Sequence, residues 1–305
     1  MELKTATTIE EQIAKLKERG MIISDEAKAK EVLSDIGYYR LGFYWFPFEK
    51  GYPKKNKRRH EFVKGSKFED AVALYYFDHD LRNILIPYLQ RIEISFRTNV
   101  IYIVSNHYKR HPTWFSDSRF VEAGFLEDFP KFYKDIRKND AIKRHHKKYI
   151  SDIYAPAWKT LEYMTFGNML YLFENLKDAS LKELVRARFN VTSLDAFLSQ
   201  MKAIRTIRNV CAHGHNLFDL KFHNPLKVGE LKGLDSRQRS TISGGLIVIT
   251  NILKTISENR SKELISRVCE LLTKKEFAAI YPIIQHISMT PAKLPPVKKI
   301  TSPQP

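Results

Sequence analysis

From Leu81 to Ile103 apolar residues recur at 81, 84, 85, 88, 89, 92, 96, 100 and 103, a spacing that fits one face of an α-helix and no strand. Ser66 and Glu69 make a capping-box pattern ahead of this run, which predicts a helix reaching about His107, with a kink or break at Pro87. Nowhere does strict period-two alternation persist, and no repeat recurs at a fixed period. The fold class predicted is all-α. A chain of 305 residues can bury one large core, or a core with a small appended domain.

The flanking segments read as more helices. Thr8 with Glu11 is another capping box, closed by Gly20, and Ser24 opens a second helix that ends at Gly37. Seven aromatics then crowd between Tyr38 and Phe48; a plug packed on the core is the favoured reading over a base-stacking surface. Trp158, Leu161 and Glu162 open a helix before the TFG turn at Thr165–Gly167, and Ser180 with Glu183 caps the next. Residues 240–258, 261–272 and 274–286 predict three more, the last behind a Thr273–Glu276 box. The expected organisation is an N-terminal helical and aromatic segment with a basic loop over 1–65, and a helical domain over 66–286. A disordered tail over 287–305 follows, rich in proline and lysine.

Charge narrows the partners. The formal net charge of +17 points to a polyanion, with nucleic acid as the first candidate. Residues 50–65 hold seven lysines and arginines against one glutamate, so Lys54, Lys55, Lys57, Arg58 and Arg59 are expected to grip phosphates. Lys143, Arg144, Lys147 and Lys148, within the basic cluster of 131–148, are the second such group. Adjacent His145 and His146 lack a supporting ligand pattern and diverge on a helix, so no metal is expected there. Two cysteines, Cys211 and Cys269, without a CxxC pair fit a reducing cytoplasm. The start MELKTATTIEEQ has no signal pattern, and no apolar run approaches the ~20 residues that span a bilayer. A cytoplasmic protein with no membrane partner is expected.

Function concentrates in Leu194–Phe218, LDAFLSQMKAIRTIRNVCAHGHNLF. Leu194, Phe197, Leu198, Met201, Ile204 and Cys211 recur at helical steps, with Ser193 as N-cap and Gly214 suited to close the helix. Arg205, Arg208, Asn209 and His213 occupy its last turns. Arg208 continues the apolar stripe, so its guanidinium needs a partner, a bound anion or a subunit interface. Asn209 and His213 share a face, four residues apart. A helix C-terminus also favours a protonated imidazole, by about 0.3–1 kcal/mol at exposed sites. Arg208 beside a cationic His213 suits a phosphodiester. Glu93 and Arg97 are four apart, readable as a surface ion pair or as a pair that orients this site.

The motifs IGYYRLGFYWFPF, RIEISFR at 91–97, Trp158 and Glu162 followed by TFG, and IRNVCAH at 207–213 occur in that order. On these the chain resembles the Abi-like (AbiD/AbiF) abortive-infection proteins of the HEPN group of helical nucleases, over roughly 36–215. The resemblance implies a HEPN-like helical bundle with an N-terminal extension and extra C-terminal helices. It implies Arg208 and His213 as the nuclease pair, with Asn209 beside them; His215 also satisfies the loose spacing. It further implies a metal-independent ribonuclease with no cofactor, and a homodimer, because the chain carries one RNxxAH motif. An RNA strand brings its own 2′-hydroxyl nucleophile, so a proton carrier and a phosphate-binding cation suffice. The expected products are a 2′,3′-cyclic phosphate and a 5′-hydroxyl end. Two rivals stand beside this reading. One is a non-catalytic RNA-binding protein, for which the family suggests a small non-coding RNA as partner; the other treats Arg208 and His213 as purely structural.

Overall fold

The computed structural model describes residues 5–54, 56, 58–227 and 233–287. The protein is all-α: among the described residues there are no β-strands, only isolated bridges such as Glu49 with Phe62. Among the same residues no helix is long and apolar enough to cross a membrane. The chain divides into two compact units. The first gathers residues 1–84, 214–220 and 266–305; the second holds 85–213 and 221–265.

In the first unit, helices Ile9–Glu18 and Glu26–Asp35 pack together through Ile13, Leu16, Ala29, Val32 and Leu33. Thr8 and Glu11 do form a reciprocal capping box. The second helix starts on Asp25, one residue past Ser24, because the Asp25 carboxylate accepts from Lys28 N–H. Most of the aromatic stretch is a plug. Tyr44, Trp45, Phe46 and Phe48 are buried, while Tyr39 and Phe43 stay exposed. Tyr44 packs on Phe218 with ring centroids 5.8 Å apart, and Phe77 meets Phe277 edge-on at 5.4 Å.

The second unit is built on the C-terminal half of the long helix, which runs unbroken over Phe68–His107. Pro87 lies on its exposed side, so the Asn83 carbonyl that it deprives of a donor can turn to water, and the helix continues. Phe96 at its buried centre touches Phe166, Phe173 and Phe197. Burying each ring of this kind contributes about 1.5–3 kcal/mol. A second aromatic cluster, Trp114, Phe115, Phe125 and Phe129, anchors helix Ala123–Ile136. Helix Leu194–Ala212 is packed by Phe166–Glu174, Ala179–Ala187 and Ile242–Ile256. Gly245 permits the last of these approaches: a Cβ there would sit 2.5 Å from Ile207 Cδ1.

Three capping boxes read from sequence do not form. Ser66 Oγ donates to Val63 O at 2.7 Å, and Glu69 accepts from Ser24 N–H at 3.1 Å, bracing a neighbouring segment in place of its own helix start. Helix Ala179–Ala187 is capped by Asp178, not Ser180, since a carboxylate two residues before Ser180 accepts from both Ser180 and Leu181 N–H. Thr273 donates to Cys269 O at 3.1 Å, and Lys274 caps a 3-10 turn over Lys275–Ile280. Lys55, Lys57 and the tail beyond residue 287 lie outside the described residues.

Candidate active site

The helix that carries the RNxxAH motif spans Leu194–Ala212, as its apolar spacing predicts. Ser193 accepts from Ala196 N–H at its start. His213 is the C-cap, its N–H bonded to Asn209 O at 3.0 Å, and Gly214 follows with φ at +66°. That positive φ is the left-handed turn that ends the helix. His213 is therefore presented at a helix end and is exposed, as is Asn209.

Arg208 has a partner within its own unit. Its Nε donates to Glu93 Oε2 at 3.1 Å, which answers the need of a guanidinium on a mostly apolar face. Glu93 is buried and shared. Its Oε1 accepts from Arg97 Nη2 at 2.9 Å, and the same nitrogen donates to Met164 O at 2.9 Å. The Glu93–Arg97 pair is thus no surface ion pair. Two guanidiniums share one buried carboxylate. Pinning Arg208 through Nε leaves its Nη edge without a carboxylate among the described residues; Nη1 reaches only Asn209 Oδ1, at 3.4 Å. A fixed guanidinium with a spare donor edge is suited to phosphate.

Two neighbours went unassigned in the sequence. Glu162 Oε1 lies 3.9 Å from Arg97 Nη1, and the Met164 carbonyl fixes Arg97 from the same turn. Their motif, Trp158 and Glu162 before TFG, was visible, but nothing local tied it to Arg97, 65 residues earlier. Arg205 lies beside the TFG turn, with Nη1 3.8 Å from where a Gly167 Cβ would stand.

The remaining candidates are dispersed. His215 belongs to the first unit, where it is exposed and its carbonyl accepts from Arg82 Nη1 at 3.0 Å. Arg58 is committed internally, donating to buried Glu49 at 3.0 Å and lying 4.2 Å over the Phe46 ring. Lys54 and Arg59 are exposed. Lys143, Arg144, Lys147 and Lys148 are all exposed on helix Asp140–Lys148, whereas His145 on the same helix is buried and bonded to Asp152 at 2.9 Å. The charges there face outward because Ile142 and His145 fill the inner face.

Glu93→Gln is expected to destabilise the fold by about 3 kcal/mol, the low end for breaking a buried pair, because it leaves Arg97 and Arg208 facing each other. Urea unfolding monitored by circular dichroism measures this; a loss below 1 kcal/mol would show that water already screens the pair.

No curated protein and no solved structure matches the chain. The family model for Abi-like proteins matches residues 31–219, a span that includes the aromatic plug, Glu93, Arg97, the Trp158–Gly167 turn and the RNxxAH helix end. On that match, which covers more than half of its length, the chain belongs to the Abi-like protein family.

Proposed function

We propose that this protein is a metal-independent endoribonuclease of the HEPN type, acting in abortive infection against phage. The observation that carries the reading is the pairing of Arg208 with buried Glu93 on the helix whose exposed end is His213. Arg208 neutralises the charge that develops on the phosphate, and His213 moves the proton between the 2′-hydroxyl and the 5′-leaving oxygen. Atoms balance without an added nucleophile: the 2′-oxygen bonds to phosphorus, the P–O5′ bond breaks, and one proton passes from the first oxygen to the second. A general base and a general acid are both needed, and one chain carries one RNxxAH motif. A homodimer with two facing His213 side chains meets that need. The dimer and control by a small non-coding RNA belong to the proposal.

A second reading is RNA binding without cleavage, favoured by the four exposed basic side chains of helix Asp140–Lys148. Incubating purified protein with end-labelled RNA in EDTA separates the two. Cleavage that survives the chelator and leaves 2′,3′-cyclic phosphate ends is the expected result. Tight binding with intact RNA would sink the nuclease reading.

A further inference from the structure

The chain has three tryptophans. Trp45 and Trp114 are buried, but Trp158 is 54% exposed, and among the described residues no other ring packs against it. Its turn is held from the inner side. Ala157, Thr160, Leu161 and Met164 are buried, Thr160 Oγ1 donates to Ala155 O at 2.7 Å, and Arg97 bonds the Met164 carbonyl. On the outer side the same turn presents Trp158, Glu162 and Tyr163 to solvent. A turn anchored from its inner side that leaves both an unstacked indole and a carboxylate exposed has no evident packing role.

This turn is joined to the centre by three successive contacts: Glu162 to Arg97, Arg97 to Glu93, and Glu93 to Arg208. Arg205 stands at its far end, beside Gly167. Arg205 is half-buried, one helical turn before Arg208, and makes no ion pair or hydrogen bond among the described residues. An indole face, an acceptor-only carboxylate and a guanidinium without a counter-charge are the three groups that a nucleotide asks for: a plane for the base, an acceptor for its edge and a cation for its phosphate.

Resting on the reading of RNA as ligand, we propose that the Trp158–Gly167 turn is a nucleotide subsite of the Arg208 centre, specific for an unpaired guanosine in single-stranded RNA. Trp158 stacks on the base, Glu162 accepts from N1–H and the 2-amino group, and Arg205 holds the adjoining phosphate. Guanine is selected because a carboxylate can only accept, and guanine alone among the four bases sets two donors side by side on its Watson–Crick edge. The base must be unpaired, since duplex RNA hides both its faces and that edge.

The test uses 2′-O-methyl pentanucleotides UUNUU, where N is G, A, C or U, which the protein cannot cut because the nucleophile is blocked. Binding is followed by anisotropy of a labelled 5′ end and by tryptophan emission. The G oligomer is expected to bind about tenfold tighter than the others and to quench emission. The quench should vanish in Trp158→Phe, since the two remaining indoles are buried. Trp158→Ala should weaken binding about tenfold, the scale of one stacked base. Glu162→Gln should erase the preference for G while leaving the U oligomer unchanged. Binding without quenching, equal affinity for all four bases, or a G preference that survives Glu162→Gln would each overturn the subsite, as would no binding at all. A change in oligomeric mass in Trp158→Ala would assign the indole to a contact between copies instead. Selective binding of the G oligomer by a protein that cuts no RNA would keep the subsite and remove the ribonuclease.

Discussion

His213→Ala is expected to lower RNA cleavage at least about a hundredfold, the loss typical of a positioned acid or base, while leaving the fold intact. His213 is an exposed helix C-cap, so its imidazole adds little packing, and its backbone bond to Asn209 survives the substitution. Arg208→Ala should cost about 10²–10³ in rate, comparable to removing one preorganised donor from a developing oxyanion. It too should stay folded, because Glu93 keeps Arg97 and the remaining pair is neutral. Arg208→Lys should recover only part of the loss, since a point charge cannot bond Glu93 and a phosphate along one rigid fork. His215→Ala serves as the internal comparison and is expected to cleave like wild type. Initial rates on a labelled single strand, with urea unfolding of each variant, decide the matter. Full activity in His213→Ala, with loss in His215→Ala, would transfer the proton-carrying role to His215.

The second large effect lies at Asp78. Its carboxylate is fully buried, accepting from Tyr44 OH at 2.9 Å, Leu217 N–H at 3.0 Å and Phe218 N–H at 2.6 Å, and it is paired with Arg82. Burial pushes the Asp78 pKa up, opposed by Arg82 and by the amide donors. Asp78→Ala would leave Arg82, itself nearly sealed from solvent, without its counter-charge, and two amides without an acceptor. The expected loss is about 3–5 kcal/mol. Asp78→Asn keeps the volume but turns a donor toward donors, and should lose nearly as much. Tyr44→Phe removes the hydrogen bond to the Asp78 carboxylate and the one accepted from Arg82 Nη1 at 3.1 Å, and should cost about 1.5–3 kcal/mol. Denaturant midpoints for the three variants test this order; a loss below 1 kcal/mol in both Asp78 variants would show that Arg82 finds water in the folded state.

What could be read along the chain is what repeats locally. The site helix, from its Ser193 cap to the Gly214 turn, follows from a 3.6-residue period bracketed by two residues of known backbone habit. Gly37 and the Thr8–Glu11 box were legible for the same reason. The failures share a cause as well. Ser66, Ser180 and Thr273 had the right spacing for caps, but a hydroxyl beside several acceptors takes the nearest, and groups two to four residues earlier in the chain supplied better ones. In the site, Arg208 announced by its position that it needed a partner, yet the partner was 115 residues away. Asp78 and Arg82 stand four apart on a helix, and nothing in their local sequence marks either as buried. Only the distant amides of Leu217 and Phe218 explain why both are buried.

The order of the chain gives that carboxylate a further meaning. The first unit is assembled from three separated stretches, and between the first two lie 129 residues of the second unit, 85–213. As the ribosome releases the polypeptide, residues 38–84 emerge with Tyr44, Asp78 and Arg82 but without Leu217 and Phe218, and Phe77 must wait longer still for Phe277. An amino-terminal fragment therefore holds a core charge whose amide donors it does not possess. The first unit is completed late in synthesis, after the helix that bears Arg208 and His213 has already left the tunnel.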